Sequence, residues 1–232
     1  SGSLELVKYL VEENGADVNE TPLFGFGEND ALIFALQSGN FEIVKYLIEH
    51  GADVNAKNNI GETIFDRFKY KLNFGQLEKE YSKIKYLIEK GADVKNDLGY
   101  KILFDASREG DLELVKLLIE HGVDINSKDR EGWTALYWAS LRKNLEVVKY
   151  LVEHGADINA KDNYGETVLN CMENRIDMDK TEKDIRYEII RVLTEKEILS
   201  KDKVNPEKDI DVLMKASEYG SLKAVKYLIE NG

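Results

Sequence analysis

Three histidines, one cysteine and an Asp-rich loop are the residues of this 232-residue chain whose types could support chemistry. His50, His121 and His154 could ligate a metal, but each closes a copy of the same recurring string and so stands at the end of a different helix. Stacked helices lie roughly 8–10 Å apart, whereas ligands sharing one zinc sit about 2 Å from it. Their spacing therefore predicts helix-end capping. Asp124-Ile125-Asn126-Ser127-Lys128 opens like a calcium loop, yet Lys128 puts a cation where the fifth position must offer oxygen. Asp129 stands in place of the required Gly, and Ala135 in place of the closing Glu. This stretch is a turn. Cys171 could be imagined as a nucleophile beside His154, but the two fall on opposite sides of a turn and no third group is placed to orient them. A small, buried apolar role fits the cysteine better. Asn19-Glu20-Thr21 satisfies the glycosylation acceptor pattern, a triplet that arises readily by chance. No glycine-rich phosphate cradle or paired acid-base constellation accompanies these residues. We expect no catalytic residue, cofactor or metal.

The elements that carry these residues are repeats. VKYLIEHGADVNAKN at Val44 to Asn58 returns as VKLLIEHGVDINSKD at Val115 to Asp129 and VKYLVEHGADINAKD at Val148 to Asp162. Further copies start at Val7, Ile84 and Val225, and a weaker one has Ile190 in register. The anchors are separated by 37, 40, 31, 33, 42 and 35 residues, a period near 33 with insertions and one deletion. Self-similarity at this period marks stacked units, not a globule around one active site. The units fall at about 1–19, 20–55, 56–95, 96–126, 127–159, 160–200 and 201–232, read as one array with incomplete ends.

Within a unit, Leu145, Val148, Leu151 and Val152 recur on one helical face while Glu146, Lys149 and Glu153 face water. The helix stops at His154-Gly155, where glycine supplies the left-handed conformation and histidine suits the negative end of the helix dipole. A turn rich in Asp, Asn and Gly follows. A short helix opened by Thr134 precedes the next one. Seven extra residues between Thr63 and Tyr81 and nine between Thr167 and Tyr187 predict enlarged segments at 64–80 and 172–186. The second is dense in charge, which fits either a longer surface hairpin or a bulge that shapes a docking surface.

Lys plus Arg total 32 against 44 for Asp plus Glu, a net charge of −12. That balance disfavours nucleic acid and anionic membranes and suits a partner with a basic patch. One cysteine excludes an intrachain disulfide, and a reducing, cytoplasmic location is the expectation. No apolar run reaches the roughly 18 residues needed to span a bilayer. Both ends cut through a repeat, so we expect a window from a longer array or a larger polypeptide, and a monomer.

These residues resemble the ankyrin repeat. The glycine stop is matched by Gly15-Ala16-Asp17-Val18-Asn19, Gly51-Ala52-Asp53-Val54-Asn55, Gly91-Ala92-Asp93-Val94, Gly122-Val123-Asp124-Ile125-Asn126 and Gly155-Ala156-Asp157-Ile158-Asn159, at that family's period. The first half departs from the family's Thr-Pro-Leu-His: Asp30-Ala31-Leu32-Ile33, Lys101-Ile102-Leu103-Phe104, Thr134-Ala135-Leu136-Tyr137 and Asp211-Val212-Leu213-Met214 stand in its place. Thr21-Pro22-Leu23-Phe24 looks like the motif but falls in an enlarged loop at 20–28, since Gly39 sets the first helix at about Asp30.

The resemblance implies an all-α solenoid of helix-turn-helix units, about seven in number, that binds a protein partner on turn tips and first-helix positions. Matching by register, those are Asn59, Ile60, Glu62, Asp97, Leu98, Tyr100, Arg130, Glu131, Trp133, Asn163, Tyr164 and Glu166 on the turns. Arg108, Glu109, Leu141, Arg142, Glu218 and Tyr219 follow on the helices. Trp, Tyr and Arg concentrate binding energy, which puts weight on Tyr100, Arg108, Arg130, Trp133, Arg142, Tyr164 and Tyr219, with Leu141 and Asn163 beside them. Two readings stay open here: a non-catalytic interaction scaffold, or a regulatory or substrate-presenting segment of a larger enzyme.

Overall fold

A computed structural model describes residues 3–20, 31–58, 60–69, 77–174, 180–200 and 210–231. Asn59 and the Thr-Pro-Leu-Phe stretch lie outside these residues, as do parts of the two predicted insertions. The described residues are helical, with one isolated antiparallel bridge between Lys161 and Thr167. Helix α1 spans Leu4–Lys8 and runs into a wider turn at Tyr9–Glu13; α2 spans Ala31–Gln37, α3 Phe41–Glu49, α4 Tyr81–Glu89, α5 Asp97–Glu109 and α6 Leu112–Glu120. Beyond them lie α7 Ala135–Leu141, α8 Leu145–Glu153, α9 Val168–Glu173, α10 Lys180–Leu199, α11 Ile210–Glu218 and α12 Leu222–Asn231.

The chain divides into two compact units, Ser1–Gly99 with Glu120–Gly122, and Tyr100–Ile119 with Val123–Gly232. In the first, α2 packs on α3 and α1 on α3. Its core holds Ile33, Val44, Leu47, Ile84, Leu87 and Ile88. In the second, α7 pairs with α8 and α11 with α12, while the long α10 packs on α8, α9, α11 and α12. Val148, Leu151, Ile189, Ile190 and Leu193 are buried there, and Ile198, Ala216, Ala224 and Leu228 form a cluster at the last helices. The helices are short, seven to ten residues in most copies, so packing of their apolar faces rather than intrinsic propensity must hold them.

Each letter of the Gly-Ala-Asp-Val-Asn stop has a physical task. Gly51, Gly91 and Gly155 sit at φ +92°, +90° and +91°, beyond the reach of most side chains. The next N–H, from Ala52, Ala92 and Ala156, donates back to the carbonyls of Leu47, Leu87 and Leu151 at 2.9 Å, closing the helix. The alanines, with Val54, Val94 and Ile158, are buried. Oδ1 of Asp53 and Asp157 accepts from the N–H two residues on, a local Asx turn.

The last letter links neighbours. Asn19 donates to the Gly51 carbonyl at 3.0 Å and accepts from the Asp53 N–H at 2.8 Å; Asn55 does the same with Gly91 and Asp93, and Asn126 with Gly155 and Asp157. The link needs a side chain that both donates and accepts, so Lys95, which occupies the same slot with an ammonium that only donates, cannot take this role.

Nδ1 of His50 and of His154 donates to the Tyr46 and Tyr150 carbonyls at 2.8 Å, since a carbonyl can only accept, and each imidazole stacks 3.9 Å from that tyrosine's ring. Both are helix-end caps. Thr134 Oγ1 accepts from the Tyr137 N–H at the start of α7, and Thr167 with Asn170 forms a reciprocal capping box at α9.

Two expectations change. The tip predicted at Asp97 to Tyr100 is helical: α5 begins at Asp97, with Asn96 Oδ1 accepting from the Leu98 and Gly99 N–H groups, and Leu98 is only 5% exposed. This is the unit carrying the deletion, and two missing residues leave no room for a protruding turn. Glu62, expected on an open tip, is 8% exposed and bonded to Arg67 at 2.6 Å and to Lys69. The following segment forms a 3-10 turn at Phe65–Phe68, with Ile64, Phe65 and Phe68 buried.

Candidate functional site

The protruding tips are hairpins built around one acidic or amide side chain. In the tip at 129–133, the Asp129 N–H donates to the Trp133 carbonyl at 2.9 Å and the Gly132 N–H to the Asp129 carbonyl at 3.0 Å. Asp129 Oδ1 accepts from the Glu131 and Trp133 N–H groups at 3.0 and 2.8 Å. The tip at 162–166 repeats this with Asp162, whose Oδ1 accepts from Tyr164 and Glu166, both at 2.9 Å. Asn58 does likewise for Ile60 and Glu62. These hydrogen bonds hold the tips at 129–133 and 162–166 in shape where they reach into water.

Two tips are also bound to each other. Asn163 donates its backbone N–H to the Glu131 carbonyl at 3.0 Å and its side-chain amide to the Arg130 carbonyl at 2.8 Å. Lys128 Nζ reaches the Lys161 carbonyl at 2.9 Å, and the Trp133 indole donates to Asp162 Oδ2 at 3.3 Å. Gly132 fits against the backbone of Asn163, where a Cβ would come within 2.9 Å of the amide nitrogen. Burial raises the proton affinity of Asp162, but the donors from Glu166, Tyr164, Trp133 and Gly165 together hold its carboxyl below the usual value.

The double tip thus brings together Arg130, Trp133, Asn163 and Tyr164. Arg130 and Asn163 are exposed, and Tyr164 is 81% exposed. Trp133 packs against its neighbours as well as standing in the tip. It is half-buried, stacked on Tyr137 with centroids 4.8 Å apart and edge-to-face with Trp138 at 5.0 Å. Nearby in the chain, Leu141 is half-buried at the end of α7 and Arg142 is exposed. Arg108 is held by Asp105 at 2.5 Å and Glu109 at 2.9 Å. Tyr100 lies half-buried within α5, and Tyr219 is half-buried edge-to-face against Tyr187, 5.2 Å away. Burial, with Glu218 and Glu173 nearby, pushes the Tyr219 phenol up.

Sequence reasoning missed Asp129, Asp162 and Trp138. The signal for the aspartates was their position three residues before Gly132 and Gly165. Trp138 donates its indole N–H to Asp129 Oδ2 at 2.9 Å. Cys171 meets the Tyr137 hydroxyl at 3.3 Å. Among the described residues no cluster of His, Cys, Asp and Glu gathers for a metal, and no described helix is long and apolar enough to cross a membrane.

Helix pairs closed by glycine stops, bridged by asparagines and joined through hydrogen-bonded hairpin tips define an all-α repeat protein. The model of the family described as ankyrin repeats (3 copies) matches residues 1–65 and 76–162, and this chain belongs to the ankyrin-repeat family. It is similar to a putative ankyrin repeat protein of Acanthamoeba polyphaga mimivirus, 41% identical over 58 residues, which are 25% of this chain and 40% of that protein. An ankyrin repeat and KH domain-containing protein of Caenorhabditis elegans is 29% identical over 119 residues, 51% of this chain and 4% of its own length. The matched stretches span less than half the length of each of these curated relatives. The crystal structure of an ankyrin repeat domain from Acinetobacter baumannii superposes with a TM-score of 0.57 at 29% identity, covering 83% of this chain and 92% of that one. Repeats of this family generally mediate protein–protein interactions and are generally non-catalytic.

Proposed function

We propose that this chain is a non-catalytic interaction scaffold that docks a partner protein on the paired tips 129–133 and 162–166 and the exposed end of α7 at Arg142. The observation that carries the reading is the pair of backbone hydrogen-bonded tips that present Arg130 and Tyr164 to solvent. An ordered surface loses little conformational freedom on binding, and Tyr and Arg are the side chains that anchor interfaces. The net charge of −12 favours a partner with a basic patch.

Deuterium exchange of the chain alone and with a partner captured from its source cell tests the surface. Slowed exchange at 129–133 and 162–166 is the expected result. Protection confined to other helices would move the docking surface elsewhere.

A further inference from the structure

Trp133 and Trp138 are the two tryptophans of the chain, and their rings lie 5.0 Å apart at 76°. Both indole N–H groups point to carboxylates, Trp133 to Asp162 and Trp138 to Asp129. A hydrogen bond to an anion polarises the indole and enriches its π face in electron density, which strengthens its attraction for a cation. Among the described residues, the chain's own cations sit over Phe41, Tyr86, Tyr150 and Tyr187, not over either tryptophan. Both tryptophans are half-buried residues and not sealed in the core. The tips and the residues directly before them carry the carboxylates of Asp129, Glu131, Asp162 and Glu166 against Arg130, Lys128 and Lys161, an excess of one negative charge.

We propose that this indole pair receives one cationic side chain, lysine or arginine, from the basic protein that docks on the tips. The inference rests on the tip reading above and names the group that the partner inserts. The carboxylates hold the rings by their N–H edges, and the local negative field draws the cation to them. An apolar side chain would gain the contact but not the field, so the pair should discriminate by charge and not by size alone.

Because the chain's tryptophans are both at this place, their emission reports it directly. The whole chain is titrated with four capped tripeptides in which glycines flank lysine, norleucine, arginine or citrulline. We expect saturable changes in emission, with half-saturation about fivefold lower for a cationic peptide than for its neutral counterpart. The better of the lysine and arginine arms identifies the group. Trp133→Leu keeps Trp138 as reporter and should abolish the preference, with circular dichroism showing the fold. The parent comparison needs no variant and decides alone: no saturable change, or equal half-saturation for charged and neutral peptides, overturns the proposal. Flat titrations beside partner protection of the tips would remove this inference and leave the tip reading standing; flat titrations with no protection there would remove both.

Discussion

The side-chain amide of Asn55 donates to the carbonyl of Gly91, 36 residues further along the chain, at 2.9 Å, and its Oδ1 accepts from the Asp93 N–H at 2.8 Å. One exposed side chain thereby fixes one helix stop against the next. Asn55→Ala removes both bonds but leaves their partners open to water, so the loss should be about 1 kcal/mol. Lys149→Ala removes a surface i,i+3 pair with Glu146 and should cost under about 0.5 kcal/mol. Urea unfolding of the two variants should separate them; equal midpoints would show that the asparagine link contributes nothing.

Gly132 and Gly165 occupy the same tip position at φ +84° and +83°, but their surroundings differ. Nothing lies within 4 Å of a Cβ at Gly165, whereas at Gly132 it would meet the Asn163 backbone. Both alanine variants carry the left-handed penalty of about 1–2 kcal/mol. Gly132→Ala should also pry the tips apart and unfold at a clearly lower temperature than Gly165→Ala. Gly155→Val, at φ +91° with open space around it, should destabilise through backbone strain alone.

Asp162 gives the fold an acid sensitivity with a defined sign. Its carboxyl titrates below the usual value in the folded chain, so its contribution is fully present above the ordinary aspartate range and is lost as pH falls through the lower, folded value. Asn58 builds the equivalent tip with an amide, so Asp162→Asn should keep the hairpin. Melting temperature measured from pH 7 to 3 should fall less steeply for Asp162→Asn than for the parent. Parallel curves would mean that Asp162 does not couple folding to protons.

Lys143 stands at φ +62° between α7 and α8, where corresponding turns hold Gly39, Gly110 and Gly220, and it pairs with Glu182 at 2.9 Å. Lys143→Ala loses the pair and keeps the strain, while Lys143→Gly loses the pair and relieves it. The glycine variant should be the more stable of the two by about 1 kcal/mol. The reverse order would place the cost of this turn elsewhere.

The glycine stops were legible because conformation leaves so few residue types for them: Gly for the left-handed turn, Asp for the Asx turn, Asn for the two-way link. The period was equally plain. The tip at Asp97 to Tyr100 was not, because register alone does not say whether a deletion shortens a loop or extends a helix. Leu98 chose burial, and Asn96 capped the longer helix. Trp133 was placed in the right loop, but its burial was not legible, since its packing depends on Tyr137 and Trp138 in the following helix and on Asp162 in the next tip. For the same reason Trp133→Ala should cost stability, and a double variant with Tyr164 would confound folding with binding.

Tyr164→Ala isolates the binding claim. Tyr164 is 81% exposed, and its removal leaves the Asp162 hairpin, the Asn163 links and the Trp133 stack in place. Calorimetry with the captured partner, on parent and on Tyr164→Ala at matched salt, is the most direct test of docking on the tips. The account predicts an unchanged melting temperature and an affinity weaker by about 30-fold, the equivalent of roughly 2 kcal/mol for an interface anchor. Equal affinities from equally folded proteins would contradict it.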